Sequence, residues 1–91
     1  MSPYFLVVPV DCATRNEQRP CYSNLDRIAC LTSIESRSGI AFGNKMYGSD
    51  CVWCPNGPCT SNNQNRCEPK SWLQGQNIDD FEDCLQGKQE V

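Results

Sequence analysis

The sequence predicts a small disulfide-rich α+β domain: two short helices, at about 24–34 and 78–86, stapled to a short β-hairpin at about 51–60 by four disulfides. Three observations carry that expectation. Eight cysteines in 91 residues is the density of a disulfide scaffold. A chain this short buries only about 60–65 % of its unfolded surface, so an apolar core alone leaves it marginal. Finally, the stretch Cys51-Val-Trp-Cys-Pro-Asn-Gly-Pro-Cys59 sets three cysteines around strong turn chemistry.

The elements follow in chain order. Residues 1–10 read as an extended apolar arm or strand, residues 11–87 as one disulfide-rich domain, and 88–91 as a frayed tail. The apolar run Tyr4-Phe5-Leu6-Val7-Val8 is far too short to span a bilayer. It has neither the positive start nor the small-residue cleavage site of a signal peptide. Because the cysteine content speaks for export, the expectation is that a targeting segment is missing from the chain as given. The β-branched content of the run favours a strand. Pro3 and Pro9 favour an unpaired arm instead, open to a protein partner through Tyr4, Phe5, Leu6, Val7 and Val8.

Between Cys12 and Cys21 the chain is polar and ends in Pro20, which predicts a loop or a short irregular helix. Ser23 then stands where an N-cap would, with Asp26 in the first turn. Leu25, Ile28, Ala29 and Thr32 recur at helical spacing, and Ser36-Arg-Ser-Gly39 is the stop. A short strand is expected around Gly39 to Phe42, followed by a surface loop through Asp50. Cys51 to Cys54 reads as a strand and Pro55-Asn-Gly-Pro58 as its turn, with a second strand at Cys59 and Thr60. Asn77-Ile-Asp-Asp80 repeats the N-cap pattern. Ile78, Phe81, Cys84 and Leu85 would share one face of the second helix, with Asp79, Asp80, Glu82 and Asp83 in water and Gly87 as the stop.

Composition excludes several functions. The chain has no histidine, which removes Ser-His-Asp and Cys-His pairs, zinc proteases and imidazole bases. Its net charge is −3 and its basic residues form no run, contrary to a nucleic-acid-binding face. The acidic cluster at Asp79 to Asp83 has the spacing of a solvated helix face, and no nucleophile with an orienting partner can be named. No catalytic residue, cofactor or metal is therefore expected.

The CVWCPNGPC stretch admits three chemistries. Trp53-Cys54 and Cys59 have four residues between the thiols, where a redox motif needs two; Cys51-Val-Trp-Cys54 has that spacing but no βαβ pattern beside it. Cys51, Cys54, Cys59 and Cys67 would make a four-thiolate zinc set, but the second pair has seven residues between its thiols, too wide for a zinc knuckle. A disulfide-held hairpin remains, using Cys12, Cys21, Cys30, Cys51, Cys54, Cys59, Cys67 and Cys84. In an extended segment Cys51 and Trp53 point to one face, Val52 and Cys54 to the other. Cys51 and Cys54 then cannot bond to each other and should staple the hairpin to two different elements. Trp53 should pack over a disulfide. Spacing alone leaves about a hundred connectivities open.

The run Cys51-Val-Trp-Cys54, a turn, Cys59, then Cys67 resembles the Cys-x-Trp-Cys region of PSI domains, the eight-cysteine modules of plexins, semaphorins and integrins. The resemblance covers Cys51 to Cys67 only. It implies the pairing Cys12–Cys51, Cys21–Cys84, Cys30–Cys59 and Cys54–Cys67, and a role in positioning neighbouring domains.

The function expected is a non-catalytic interaction or structural module. It would be secreted, or an accessory subunit at the extracytoplasmic or lumenal face of a membrane complex. The alternative is a secreted toxin, effector or inhibitor that presents Cys54-Pro-Asn-Gly-Pro-Cys59 as its binding loop.

Overall fold

Six short strands, one 3-10 turn and two helices are strung along the described part of the chain, residues 17–84 of a computed structural model. The arm at Tyr4 to Val8, Cys12, and the tail after Cys84 lie outside the described residues.

The first unit is a parallel pair. Strand β1 (Glu17–Arg19) runs beside β2 (Ser33–Glu35), Gln18 opposite Ile34. Parallel strands need a crossover of about a dozen residues. Here it is a 3-10 turn, Cys21–Ser23, followed by helix α1, Arg27–Leu31. The predicted helix at 24–34 is therefore much shorter. Its cap is Asp26, whose carboxylate accepts from the Ala29 N–H at 2.7 Å. Ser23 turns back instead and donates to the Pro20 carbonyl at 2.6 Å. At the other end the Thr32 and Ser33 hydroxyls take the Ile28 and Ala29 carbonyls at 3.0 and 2.7 Å. With those acceptors satisfied, Ser33 can leave the helix and enter β2.

The expected strand near residues 39–42 is β3 (Ile40–Ala41), paired antiparallel with β4 (Asn44–Lys45). Phe42 and Gly43 join them with φ of 53° and 81°, the both-positive backbone of a two-residue hairpin.

Strand β5 (Cys51–Trp53) is the centre of the molecule and is buried along its whole length. Its partner is β6 (Cys67–Pro69), with Cys51 opposite Pro69 and Trp53 opposite Cys67. The expected second strand at Cys59 and Thr60 is absent, because the Pro55–Pro58 turn is closed by its own disulfide, Cys54–Cys59. The chain returns to pair with β5 only after Arg66. On the opposite edge Trp53 and Glu82 exchange backbone hydrogen bonds at 3.0 and 2.7 Å. The predicted helix at 78–86 is not formed across residues 78–83, and 85–91 lie outside the described residues.

The second helix is α2, Lys70–Gly75, in a stretch with no marked periodicity. Asn77, read from sequence as an N-cap, is instead the residue that ends α2. It has φ 62°, its N–H reaches the Gln74 carbonyl at 3.0 Å, and the Ile78 N–H reaches Leu73 at 2.9 Å. This is a Schellman cap, with Ile78 packed against Leu73 as the motif requires. Asparagine suits both an N-cap and a left-handed residue, so its local sequence cannot distinguish the two.

The alternation expected for β5 holds. Cys51 and Trp53 join Cys21, Cys30, Leu31, Cys67 and Cys84 in one buried cluster. Val52 and Cys54 join Leu73 on the opposite face, with Trp72, Ile78 and Phe81 partly buried against them. Five of the seven residues in the first cluster are cysteines, so cross-links occupy the space that aliphatic side chains fill in larger domains.

Three disulfides are described: Cys21–Cys51, Cys30–Cys67 and Cys54–Cys59. Each differs from the PSI-like pairing that the resemblance implies. Cys51 and Cys54 do not bond to each other, as the strand geometry requires. Only Cys51 staples β5 to a distant element, however, since Cys54 closes a local loop. Cys84 is buried and disulfide-bonded as well.

Candidate interaction surface

The segment from Cys21 to Cys30 is held at both ends. Cys21 is bonded to β5 and Cys30 to β6. Yet this pinned segment displays apolar side chains outward. Leu25 is 89 % exposed, and Tyr22 and Ile28 are close to half exposed. Leu25 and Ile28 were expected on the buried face of a helix. Helix α1 starts too late to carry Leu25, and it is Asn24 that turns inward, 4 % exposed. Asn24 is held there: its amide donates to the Cys21 carbonyl at 3.2 Å, and its oxygen lies 3.4 Å from the Ser33 hydroxyl.

Beside this segment lies a hollow of about 120 Å³. Tyr22, Asn24 and Leu25 line one side, Gln64, Asn65 and Arg66 the other, and the buried Trp53 lies between. Trp53 packs in the cystine cluster as expected. Its ring is also covered by the Arg66 guanidinium, 4.6 Å from the ring centroid. Arg66 donates to the carbonyls of Cys54 and Pro55 at 3.1 and 2.9 Å. One cation thus ties the exposed proline turn to the core tryptophan. The volume is that of one side chain rather than of a small-molecule site.

A buried carboxylate braces the rear of the segment. Glu35 has no solvent exposure. It accepts from the backbone N–H of Cys21 at 3.2 Å, and from the N–H, Nε and Nη2 of Arg37 at 2.8–2.9 Å. Burial by itself would push its carboxyl up. The Arg37 side chain, the two N–H groups and the Arg37 charge together hold it below the ordinary glutamate value. Arg37 in turn lies 4.8 Å from the Tyr22 ring centroid. Glu68 on β6 is the opposite case: burial pushes its carboxyl up, and donation from Asn65 and Asn63 with the Arg37 charge offsets this only in part.

The acidic run at Asp79 to Asp83 is not a solvated helix face. Glu82 pairs with Arg27 at 2.7 Å, and Asp83, only 6 % exposed, pairs with Lys70 at 2.7 Å. Asp80 accepts from Asn56 of the proline turn at 2.8 Å. These acids cross-link the segment after α2 to three other parts of the chain.

Of the sequence-predicted site residues, the structure gathers Cys21, Cys30, Cys51, Cys67 and Cys84 in one core and sets Cys54 and Cys59 apart. The four thiolates that spacing suggested for zinc are thereby divided between the two faces of β5. Helical periodicity implied a buried face for Leu25 and Ile28, but Leu25 precedes α1 and Ile28 lies on its half-exposed side, while no periodicity marked Tyr22 in the 3-10 turn. Among the described residues no helix is long and apolar enough to cross a membrane. No protein-family model, curated protein or solved structure matches the chain.

Proposed function

We propose that this protein is a non-catalytic interaction or structural module. It works in an oxidising compartment, either secreted or as an accessory subunit at the extracytoplasmic or lumenal face of a larger assembly. One observation carries the reading: Tyr22, Leu25 and Ile28 face solvent from a segment fixed at Cys21 and at Cys30 by disulfides. Apolar side chains held rigidly before binding lose little freedom on docking, which is how a small surface gains affinity. Bridged cysteines are the chemistry of an oxidising compartment. Eight cysteines allow a fourth bridge beside the three described. Intact mass before and after reduction and alkylation tests it: all eight thiols should react only after reduction.

The functional test is affinity capture from the compartment in which the protein is found, using the oxidised full chain. A specific protein partner should be retained by the native chain and lost from a Leu25→Glu/Ile28→Glu variant of unchanged melting temperature. Equal retention by both would reject this surface. A chain lacking residues 1–10, run in parallel, tests the arm at Tyr4 to Val8 as a separate contact.

The inhibitor or effector reading draws on a different feature. Pro55, Asn56 and Pro58 are exposed on a turn closed by Cys54–Cys59 and anchored by Arg66, the build of a constrained binding loop. Loss of a target enzyme's or channel's activity on adding the purified chain would favour it.

A further inference from the structure

The sulfurs of two separate disulfides abut in the core. The Sγ atoms of Cys21, Cys51 and Cys67 lie within 4.8 Å of one another, and Cys30 is bonded to Cys67. All four cysteines have no solvent exposure. A tetrahedral zinc–thiolate centre has Zn–S bonds of about 2.3 Å, which sets its sulfurs roughly 3.8 Å apart. Cys67 already stands within about 1 Å of that spacing from both partners of the neighbouring bridge. A second feature points the same way. The Asn24 amide, 4 % exposed, is directed at the Cys67 sulfur at 3.7 Å. A disulfide sulfur accepts such a bond weakly. A metal-bound thiolate carries charge, and N–H donors of this kind orient and stabilise metal ligands.

We infer that Cys21, Cys30, Cys51 and Cys67 form a four-thiolate site for a borderline-soft divalent cation of the Zn²⁺ class when their two bridges are reduced. The bridged and metal-bound cores are then alternative states of one chain. A dithiol reductant supplies two electrons and two protons to each bridge and is itself oxidised to a cyclic disulfide. The four thiols formed release their protons as the ion binds, so binding tightens as pH rises. Thiolate ligands select Zn²⁺ over Mg²⁺ or Ca²⁺, which prefer oxygen. The ligand set differs from the one that spacing suggests, Cys51, Cys54, Cys59 and Cys67, because Cys54 and Cys59 lie on the other face of β5. The inference is independent of the interaction reading above.

The test is Co²⁺ and Zn²⁺ titration of the full chain, reduced with a phosphine under anaerobic conditions. The expected result is one ion per chain with a dissociation constant below about 1 μM at pH 7. Co²⁺ should give the absorption of a tetrahedral thiolate centre, and far-ultraviolet circular dichroism should recover with metal. Because folding is driven by the ion, the comparison is between two double variants. Cys54→Ser/Cys59→Ser should bind within a few-fold of the native chain, whereas Cys21→Ser/Cys30→Ser should lose about 100-fold or more. Asn24→Ala should weaken binding by about 10-fold without changing stoichiometry. Weaker than micromolar binding overturns the inference. So does a loss in the Cys54/Cys59 variant equal to or larger than that in the Cys21/Cys30 variant.

Discussion

Replacing Glu35 by glutamine changes one atom in a fully buried group and should cost about 2–3 kcal/mol. The working is local. Oε1 receives the Cys21 N–H and Arg37 Nη2, and Oε2 receives the Arg37 N–H and Nε. A glutamine can accept on one side only. Whichever way its amide turns, its NH₂ faces two donors, one of them a backbone N–H that cannot move away. A buried donor left without an acceptor costs about 1–3 kcal/mol. The Arg37 side chain is 38 % exposed, so its own loss is partly made good by water and adds less. For a domain of this size that predicts a melting temperature lower by about 10–20 °C. The pH dependence is specific. The Glu35 carboxyl titrates below its ordinary value, so its stabilisation is complete above about pH 4.3, the unfolded value, and drains away as pH falls through the depressed folded value. The gap between native and Glu35→Gln proteins should be constant from about pH 7 to pH 5 and narrow in stronger acid. Calorimetric melts of both oxidised proteins across that range decide it. A gap under about 2 °C at pH 7, or one that persists unchanged in acid, would refute the account of Glu35 as a charged brace.

Three further outcomes follow from the same geometry. The bridges at sequence separations of 30 and 37 should each contribute nearly 4 kcal/mol by loop entropy, against about 2 kcal/mol for Cys54–Cys59 at a separation of 5. Paired Cys→Ser variants, ranked by denaturant midpoint, check this order. Gly75→Ala should destabilise by about 1–3 kcal/mol despite better helix propensity. The added Cβ would sit 2.7 Å from Phe42 Cβ and 2.9 Å from the Phe42 carbonyl, and thermal melts read the loss. Glu68→Gln should raise the melting temperature at pH 7. The raised folded pKa of Glu68 means that its stabilisation is present below about pH 4.3 and lost as pH rises through the folded value. The gain should therefore vanish near pH 4, and a variant equally stabilised at both pH values would contradict the burial argument.

How much of this was legible in the sequence depends on the range of each interaction. The two faces of β5 could be read directly, because alternation is a property of one extended backbone. From it came the core position of Trp53 and the exclusion of a Cys51–Cys54 bond, and both hold in the structure. The exposed row Tyr22, Leu25 and Ile28 could not be read. A 3.6-residue pattern was present, but Asp26 outcompetes Ser23 as the cap and the helix begins after Leu25. Helix α2 was missed for the complementary reason: its six residues are too few for periodicity to register. The signal that would have found it is Asn77, had it been read as the end of one helix rather than the start of another.

By itself the sequence determined that cross-links rather than aliphatic bulk hold this protein, since cysteine density and chain length are properties of composition. Only the tertiary structure decided which cysteines meet. Cys21 reaches Cys51 and Cys30 reaches Cys67 because a short crossover lies against the two central strands. No local rule sets that placement. It is fixed by burial of Leu31, Asn24 and Glu35 among residues distant in the chain. The same packing turns Leu25 outward and brings the sulfurs of Cys21, Cys51 and Cys67 together in the core, and those are the two features on which the functional readings rest.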